Sequence, residues 1–493
     1  MKLNMKIISN LILGLVLCIN LNISNAQTNY GLSFGGSSND KGLAMCLTSD
    51  GGYLLTGSTR SFFSGSEDYY LIKLSAIWET LWTETYGGVH QDHPRSIIST
   101  EEGYIIFGDV WDYGDARLGM YLGLFDFEGH KIWGQHYGTV MDDWGFNVIE
   151  TLSGDFMLLG YSRGFESSGD IYIVRTDHQG NFIWENNYGY IGDDYGMDII
   201  ENEDGSFLII GTKNGFFNDV HANYKKHDAD ILLVKIDSDG NEIWKKTIGG
   251  TSHDFGYAIK SAPQGGNYIF GSSQSYGAGS FDMFLAKIDD DGIEEWHITY
   301  GGELYEYGVS MDINEHGELF LFGTTTSFGQ NNSEDFYLLK VDEQGNNIWE
   351  LSVGGELADN GSSVLATPDS GCVVVGSSES FGAGGYDVLF IKIDKFGQIE
   401  NIIDSVEPGN ENQLVIAPNP IHNEGRVLLK GDHTNVTREM IITSVNGTVL
   451  NKYSLVGSNS SFDVSGLPAG IYIYKVFENN SSDIVYRGKL IVY

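Results

Sequence analysis

The sequence predicts an all-β fold, a seven-bladed β-propeller followed by a small Ig-like β-sandwich at the C-terminus. Three observations carry that expectation. Tryptophans recur at Trp82, Trp133, Trp184, Trp244, Trp296 and Trp349, separated by 51, 51, 60, 52 and 53 residues. Glycine is abundant at 65 residues and proline scarce at 7, and the apolar runs are short and bounded by turn residues. Beyond the N-terminus no stretch keeps a helical period long enough for a helix.

The N-terminus is the exception. Lys2 and Lys6 precede an apolar run from Ile7 to Ile19, and Ser24-Asn25-Ala26 sets small residues before Gln27. That layout predicts a cleavable secretory signal peptide over residues 1–26, too short to serve as a transmembrane span. The residues expected to remain include two cysteines, Cys46 and Cys372, each in an apolar strand run. Two isolated cysteines form neither a disulfide framework nor a metal motif, so buried thiols are expected.

Internal repetition over residues 27–403 sets the architecture. Four residues after each tryptophan stands an aromatic or apolar residue, usually followed by Gly-Gly, and Tyr30 with Phe34-Gly35-Gly36 supplies a seventh start. Each unit of about 52 residues then follows one script. An acid comes first: Asp40, Asp92, Asp143, Asp194, Asp254, Glu306 or Asp359. A strand, a turn, an apolar strand and a Ser/Phe/Gly loop follow. The third strand opens at Asp68, Asp170, Asp230, Asp282, Asp335 or Asp387, with Gly119 in the second unit. A turn such as Asp237–Asn241 leads into the tryptophan strand. Four short strands per unit make a propeller blade. The last unit lacks its tryptophan, so the chain around Tyr30 is expected to supply the missing outer strand and close the ring. These units resemble the tandem β-propeller repeats of large secreted bacterial and archaeal proteins, a resemblance that speaks to fold and not to ligand.

A polar stretch, residues 404–413, reads as a linker, and the composition changes from Leu414 onward. The segment 414–493 carries Ala417-Pro418-Asn419-Pro420, then Leu467-Pro468-Ala469-Gly470-Ile471-Tyr472, and ends on Gly488-Lys489-Leu490. In that order these motifs resemble the type A C-terminal sorting domain of the type IX secretion system of the Bacteroidota. The resemblance implies passage through the outer membrane with that machinery as partner, then release or attachment at the cell surface.

Charge divides unevenly. Of 28 basic and 67 acidic residues, 7 and 6 lie from Leu414 onward and two lysines precede Gln27, so residues 27–413 hold 19 basic against 61 acidic, a net of −42. Such a surface repels nucleic acid and anionic lipid and leaves cations, neutral or basic ligands as partners.

The search for chemistry yields weak motifs. Gly160-Tyr161-Ser162-Arg163-Gly164 matches a nucleophile elbow, but it falls at the end of a blade strand with no helix to follow. Asp289–Gly292 and Asp237–Gly240 suggest calcium loops with too few ligands, so no cofactor is expected. The seven repeat acids read as carboxylates accepting backbone N–H bonds at the crossings between blades. The tryptophans read as packing between blades.

Asymmetry is the better guide to function. The fourth unit is lengthened through Phe216–Asp230, which brings His221, Tyr224, Lys225, Lys226 and His227 to a rim loop. The second unit carries Trp111, Tyr113 and Arg117 in the equivalent place. Aromatic and basic residues on loops over a rigid scaffold are how binding sites are built. With no nucleophile–base pair in view, the expectation is a secreted or cell-surface binding or adhesion propeller for glycan or protein. The alternatives are a polysaccharide lyase or hydrolase on the same fold, and a structural surface-layer component.

Overall fold

A computed structural model describes residues 26–28, 31–62, 66–88, 90–112, 117–164, 169–214, 229–400, 413–417, 424–430, 437–444, 449–456, 459–468, 470–478 and 484–492. Residues 1–25 of the segment read as a signal peptide and 404–412 of the one read as a linker lie outside these residues.

Seven antiparallel sheets follow one another along the chain. In the first blade the strands run Asp40–Leu47, Tyr53–Thr59, Asp68–Leu74 and Thr80–Tyr86. The first strands of successive blades touch, and that of the seventh blade, Asp359–Ala366, touches Asp40–Leu47, so the inner strands form a closed ring. Second and third strands are buried nearly throughout. Both of their faces are covered by neighbouring blades.

Closure follows the expected route. Gly31–Phe34 pairs with Asp387–Ile393 as the outer strand of the seventh blade, and Ala26–Thr28 pairs outside it. The first segment of the chain thereby zips the last blade shut, leaving no open inner edge.

Blades adhere through their outer strands. Each repeat tryptophan from Trp82 to Trp349 lies against a turn glycine of the next blade; at Gly129, for example, an added Cβ would lie 2.9 Å from the Trp82 ring. Tyrosines four residues later add a bond: Tyr86, Tyr137, Tyr188 and Tyr300 donate to the carbonyls of Gly129, Gly180, Gly240 and Gly345 at 2.5–2.6 Å. At the seam the arrangement inverts. The turn position filled by glycine elsewhere is Trp78, held at φ 66° and buried with Phe34 and Phe390. The aromatic ring has moved from the strand to the turn that faces it.

The linkers between blades are tightly packed. Six repeat acids, Asp40, Asp92, Asp194, Asp254, Glu306 and Asp359, donate their backbone N–H to the residue preceding the previous blade's third strand, at 2.5–2.9 Å. Their carboxylates, almost fully buried, accept the N–H four residues back, as Asp254 does from Gly250 at 2.8 Å. Hydroxyls at the end of the second strand and in the loop after it complete the set, with Ser273 and Ser275 bonding Asp254 at 2.5 and 2.7 Å. The aspartate opening the previous third strand comes alongside. A Cβ on Gly249 would lie 2.6 Å from Asp230 and 2.7 Å from Asp254, so the linker needs glycine there. Burial, then the neighbouring carboxylate, pushes Asp68 and Asp387 up to about 6.

The C-terminal segment forms two further sheets, of three and four strands. Phe462 of the smaller meets Met440, Ile442, Val476 and Leu490 of the larger in one core, a small β-sandwich.

Two outcomes follow. Replacing Trp78→Gly relieves a left-handed strain of about 1–2 kcal/mol but empties a ring site worth about 3–5 kcal/mol. Chemical denaturation should therefore show a net loss of roughly 2–3 kcal/mol; a gain would refute the inverted seam. Because Asp68 holds its proton more tightly when folded, it favours the native state below about pH 4, and that contribution is lost as pH rises through about 6. An Asp68→Asn variant should gain thermal stability relative to wild type between pH 4 and 7, and an unchanged difference across that range would contradict the pairing.

Candidate ligand site at the linker face

Linkers between blades and loops between second and third strands emerge on one face. The residue directly after each repeat acid stands at that end of the inner strand: Lys41, His93, Trp144, Tyr195, Phe255, Tyr307 and Asn360. Two positions later every inner strand carries a β-bulge, from Gly42/Ala44 in the first blade to Gly361/Ser363 in the seventh. A bulge re-aims the strand and ends its regular pairing near a site. Pro94 occupies the bulge position of the second blade, a place where a strand tolerates proline.

These residues form a collar of two chemical halves. In blades three to six it is aromatic, with Tyr195 and Phe255 buried and Trp144 and Tyr307 half-buried. Tyr161 stacks on Tyr195 with centroids 4.2 Å apart and Trp144 lies 5.4 Å from Tyr161. Phe255, Phe281 and Tyr307 continue the series at 5.6 and 5.4 Å. In blades one and two it is charged. His93 Nδ1 lies 2.9 Å from Asp109 Oδ2, and its Nε2 lies 3.7 Å from Glu67 Oε2. Arg60 Nη2 reaches Glu67 at 2.9 Å, Lys41 at 4.0 Å, and Arg95 Nε reaches Asp109 at 2.6 Å. Apolar side chains also stand exposed on the linkers of this face. Val140 and Ile191, on two linkers, are 85% and 97% exposed, and Leu304, Tyr305 and Leu357 are exposed on others.

The charged half has a defined protonation state. Burial by itself would lower the His93 pKa, but Asp109 and Glu67 outweigh it and hold it at about 9. Glu67 is held far below the carboxylate range by His93 first and, against burial, by Arg60, Lys41 and Ser58. At neutral pH His93 is an imidazolium and cannot accept a proton as a general base.

Of the residues singled out from sequence, Trp111 is exposed at the end of the second blade's second strand, its ring 6.0 Å from His90. Arg117 opens that blade's third strand. Tyr113, His221, Tyr224, Lys225, Lys226 and His227 lie outside the described residues. The repeat acids sit in the crossings, bonded as above. The turn aspartates are likewise engaged: Asp289 Oδ1 accepts Asp291 and Ile293 N–H at 3.0 and 2.8 Å, and Asp237 Oδ1 accepts Asp239 and Asn241. Ser162 is buried, with its hydroxyl 3.2 Å from that of Thr139. Cys46 and Cys372 are free thiols in separate blades, and burial pushes Cys46 up to about 12. Among the described residues no group of three or more histidines, cysteines and acids gathers as a metal cluster.

The collar itself was missed in the sequence reading. Its signal was present: the acid is constant across units while its successor changes from Lys and His to Trp, Tyr, Phe and Asn.

Residues 415–493 match the family described as secretion system C-terminal sorting domain. That segment is a type IX sorting domain, the protein is secreted or attached to the cell surface, and no described helix is long and apolar enough to cross a membrane. Regulatory protein FlaEY of Caulobacter vibrioides is 23% identical over 122 residues, 22% of this chain and only 13% of that protein. Among solved structures, a PL25 ulvan lyase is 11% identical at TM-score 0.47, covering 75% of this chain and 96% of its own. A puromycin hydrolase is 11% identical at TM-score 0.46, covering 91% of this chain and 62% of its own. At that similarity neither bears on the chemistry here.

The His93 charge supplies stability that is complete below about pH 6.5 and lost as pH rises through about 9. A His93→Gln variant should lie below wild type in thermal midpoint at pH 6, with the gap closing by pH 10. An imidazole titrating near 6.5 by NMR would refute the arrangement.

Proposed function

Since the C-terminal segment is a secretion sorting domain, we propose that the chain delivers a propeller outside the cell as a non-catalytic binding module for glycan. Its seat is the collar on the linker face. One observation carries this reading. Packing positions repeat from blade to blade, whereas the position after the repeat acid runs from Lys and His through four aromatics to Asn. A residue that must fit the same joint seven times is constrained by folding; one that varies is free of that constraint, and of the seven Lys41, His93, Trp144, Tyr307 and Asn360 are partly exposed and so available for recognition. Aromatic faces beside charged and amide edges suit sugar rings, whose flat C–H faces and hydroxyl rims need both kinds of partner. The exposed apolar linkers enlarge the contact surface.

The test uses the mature protein against a panel of immobilised soluble polysaccharides. Two ring contacts are worth about 0.5–1.5 kcal/mol each beyond area burial, so Trp144→Ala with Tyr307→Ala should weaken retention roughly tenfold. Unaltered binding by a folded double variant would move the seat elsewhere. Shortening of the polymer by wild type would replace binding with degradation.

A further inference from the structure

Charge on the collar is concentrated in one place. Lys41, Arg60, His93 and Arg95 stand over two buried carboxylates, Glu67 and Asp109, so four cations share two anions with which they make contact. No other blade repeats the set. Where the second blade has Asp109, the others have Ser58, Tyr161, Thr212, Ser272, Thr324 and Ser377, and their joints close without it. Folding therefore does not require this cluster. It is also opposite in sign to its surroundings, because residues 27–413 carry a net of −42.

The geometry gives the cluster an inner and an outer side. Glu67 and Asp109 are 7% and 0% exposed in their side chains and brace the cations from beneath. The side chains of Lys41 and Arg60 are 42% and 45% exposed, so their outer edges face solvent. Planar guanidinium groups braced in this way suit carboxylate and sulfate oxygens. The cluster is continuous with the aromatic half, since the Arg95 guanidinium carbon lies 5.5 Å from the centre of the Phe146 ring. Phe146 packs in turn with Tyr161, Tyr195 and Trp144.

We propose that Lys41, Arg60, His93 and Arg95 form a subsite for the carboxylate or sulfate group of an acidic saccharide, whose adjoining ring lies against Trp144, the half-buried indole that packs on the buried Phe146, Tyr161 and Tyr195. This rests on the reading of the collar as a glycan seat and adds the charge of the ligand to it. A short acidic saccharide can set one anionic group on the cluster. A nucleic acid strand would carry its closely spaced phosphates across the acidic surface around it.

The test is isothermal titration of the mature protein with short oligogalacturonate, its methyl ester, and dextran oligomers with and without sulfate. Wild type should bind an acidic member at least about tenfold more tightly than its neutral counterpart, as expected for charge-assisted bonds. The exposed pair Lys41→Gln with Arg60→Gln should abolish that difference and leave the neutral affinity intact. Lys131→Gln, on an exposed outer strand of the second blade, removes a positive charge outside the cluster and should have no effect. Carboxylate and sulfate arms distinguish the two anions. Equal binding of acidic and neutral forms by wild type overturns the proposal, even if the double variant fails to fold. So does an equal loss in Lys131→Gln, or equal binding of a single-stranded DNA oligomer. Neutral binding that disappears in Trp144→Ala without any acidic preference leaves the seat standing and removes only the subsite. No binding of any probe removes both.

Discussion

A buried carboxylate at the crossing between blades is the interaction on which the rest of the structure depends. Six of the repeat acids tie their own backbone to the preceding blade, and their side chains bond the linker, as Asp254 does with Ala229 and Gly250, with Ser273 and Ser275 completing its set. Leaving such a group unpaired away from water would be costly, so the linker takes the shape that satisfies it. The same crowding explains glycine beside the acid, where the aspartates of two blades leave no room for a side chain. Repetition of this joint sets all linkers on one face at nearly equal spacing.

That regularity creates the site. Once the acid has been anchored, its successor on the strand stands at the collar whatever its identity, because the backbone there is already held. Lys41, His93, Trp144 and Phe255 occupy equivalent places with unrelated chemistry. The bulge that follows shifts the register between this end of the strand and the pairing below it. Deeper in the ring, polar side chains join neighbouring inner strands instead. Ser96 donates to Asn147 at 2.9 Å, and Asn147 donates to Asp198 at 2.5 Å, which also accepts the Ile259 N–H at 2.9 Å. Recognition at one end and cohesion below are thus assigned to different positions of a single strand.

Much of the fold was legible because it rests on short-range pattern. Trp82 to Trp349 marked the outer strands, the acids marked the linkers, and Tyr30 pointed to the strand that closes the ring. Trp78 falls outside the tryptophan spacing and carries no mark in the sequence. Its meaning depends on Phe34 and Phe390, which enter its surroundings only when the two ends of the repeat array meet. The bulges were invisible for a related reason, since their mark, a glycine or Pro94, has several other uses in a strand. For the site, attention went to long loops such as Phe216–Asp230, where insertion is conspicuous, and passed over a substitution pattern that changes no length.

The sequence by itself determined the number of blades, the order of strands, the means of closure and the exported destination. Each follows from periodicity or from a motif contained within one segment. Only the tertiary structure decided that Lys41, Arg60, Glu67, His93, Asp109 and Arg95 form one cluster and that it adjoins Phe146. Two of those contacts, His93 with Glu67 and Arg95 with Phe146, cross from one blade to the next and tie the rest together. They come into being when one blade is laid against the next, and no single unit read alone contains them.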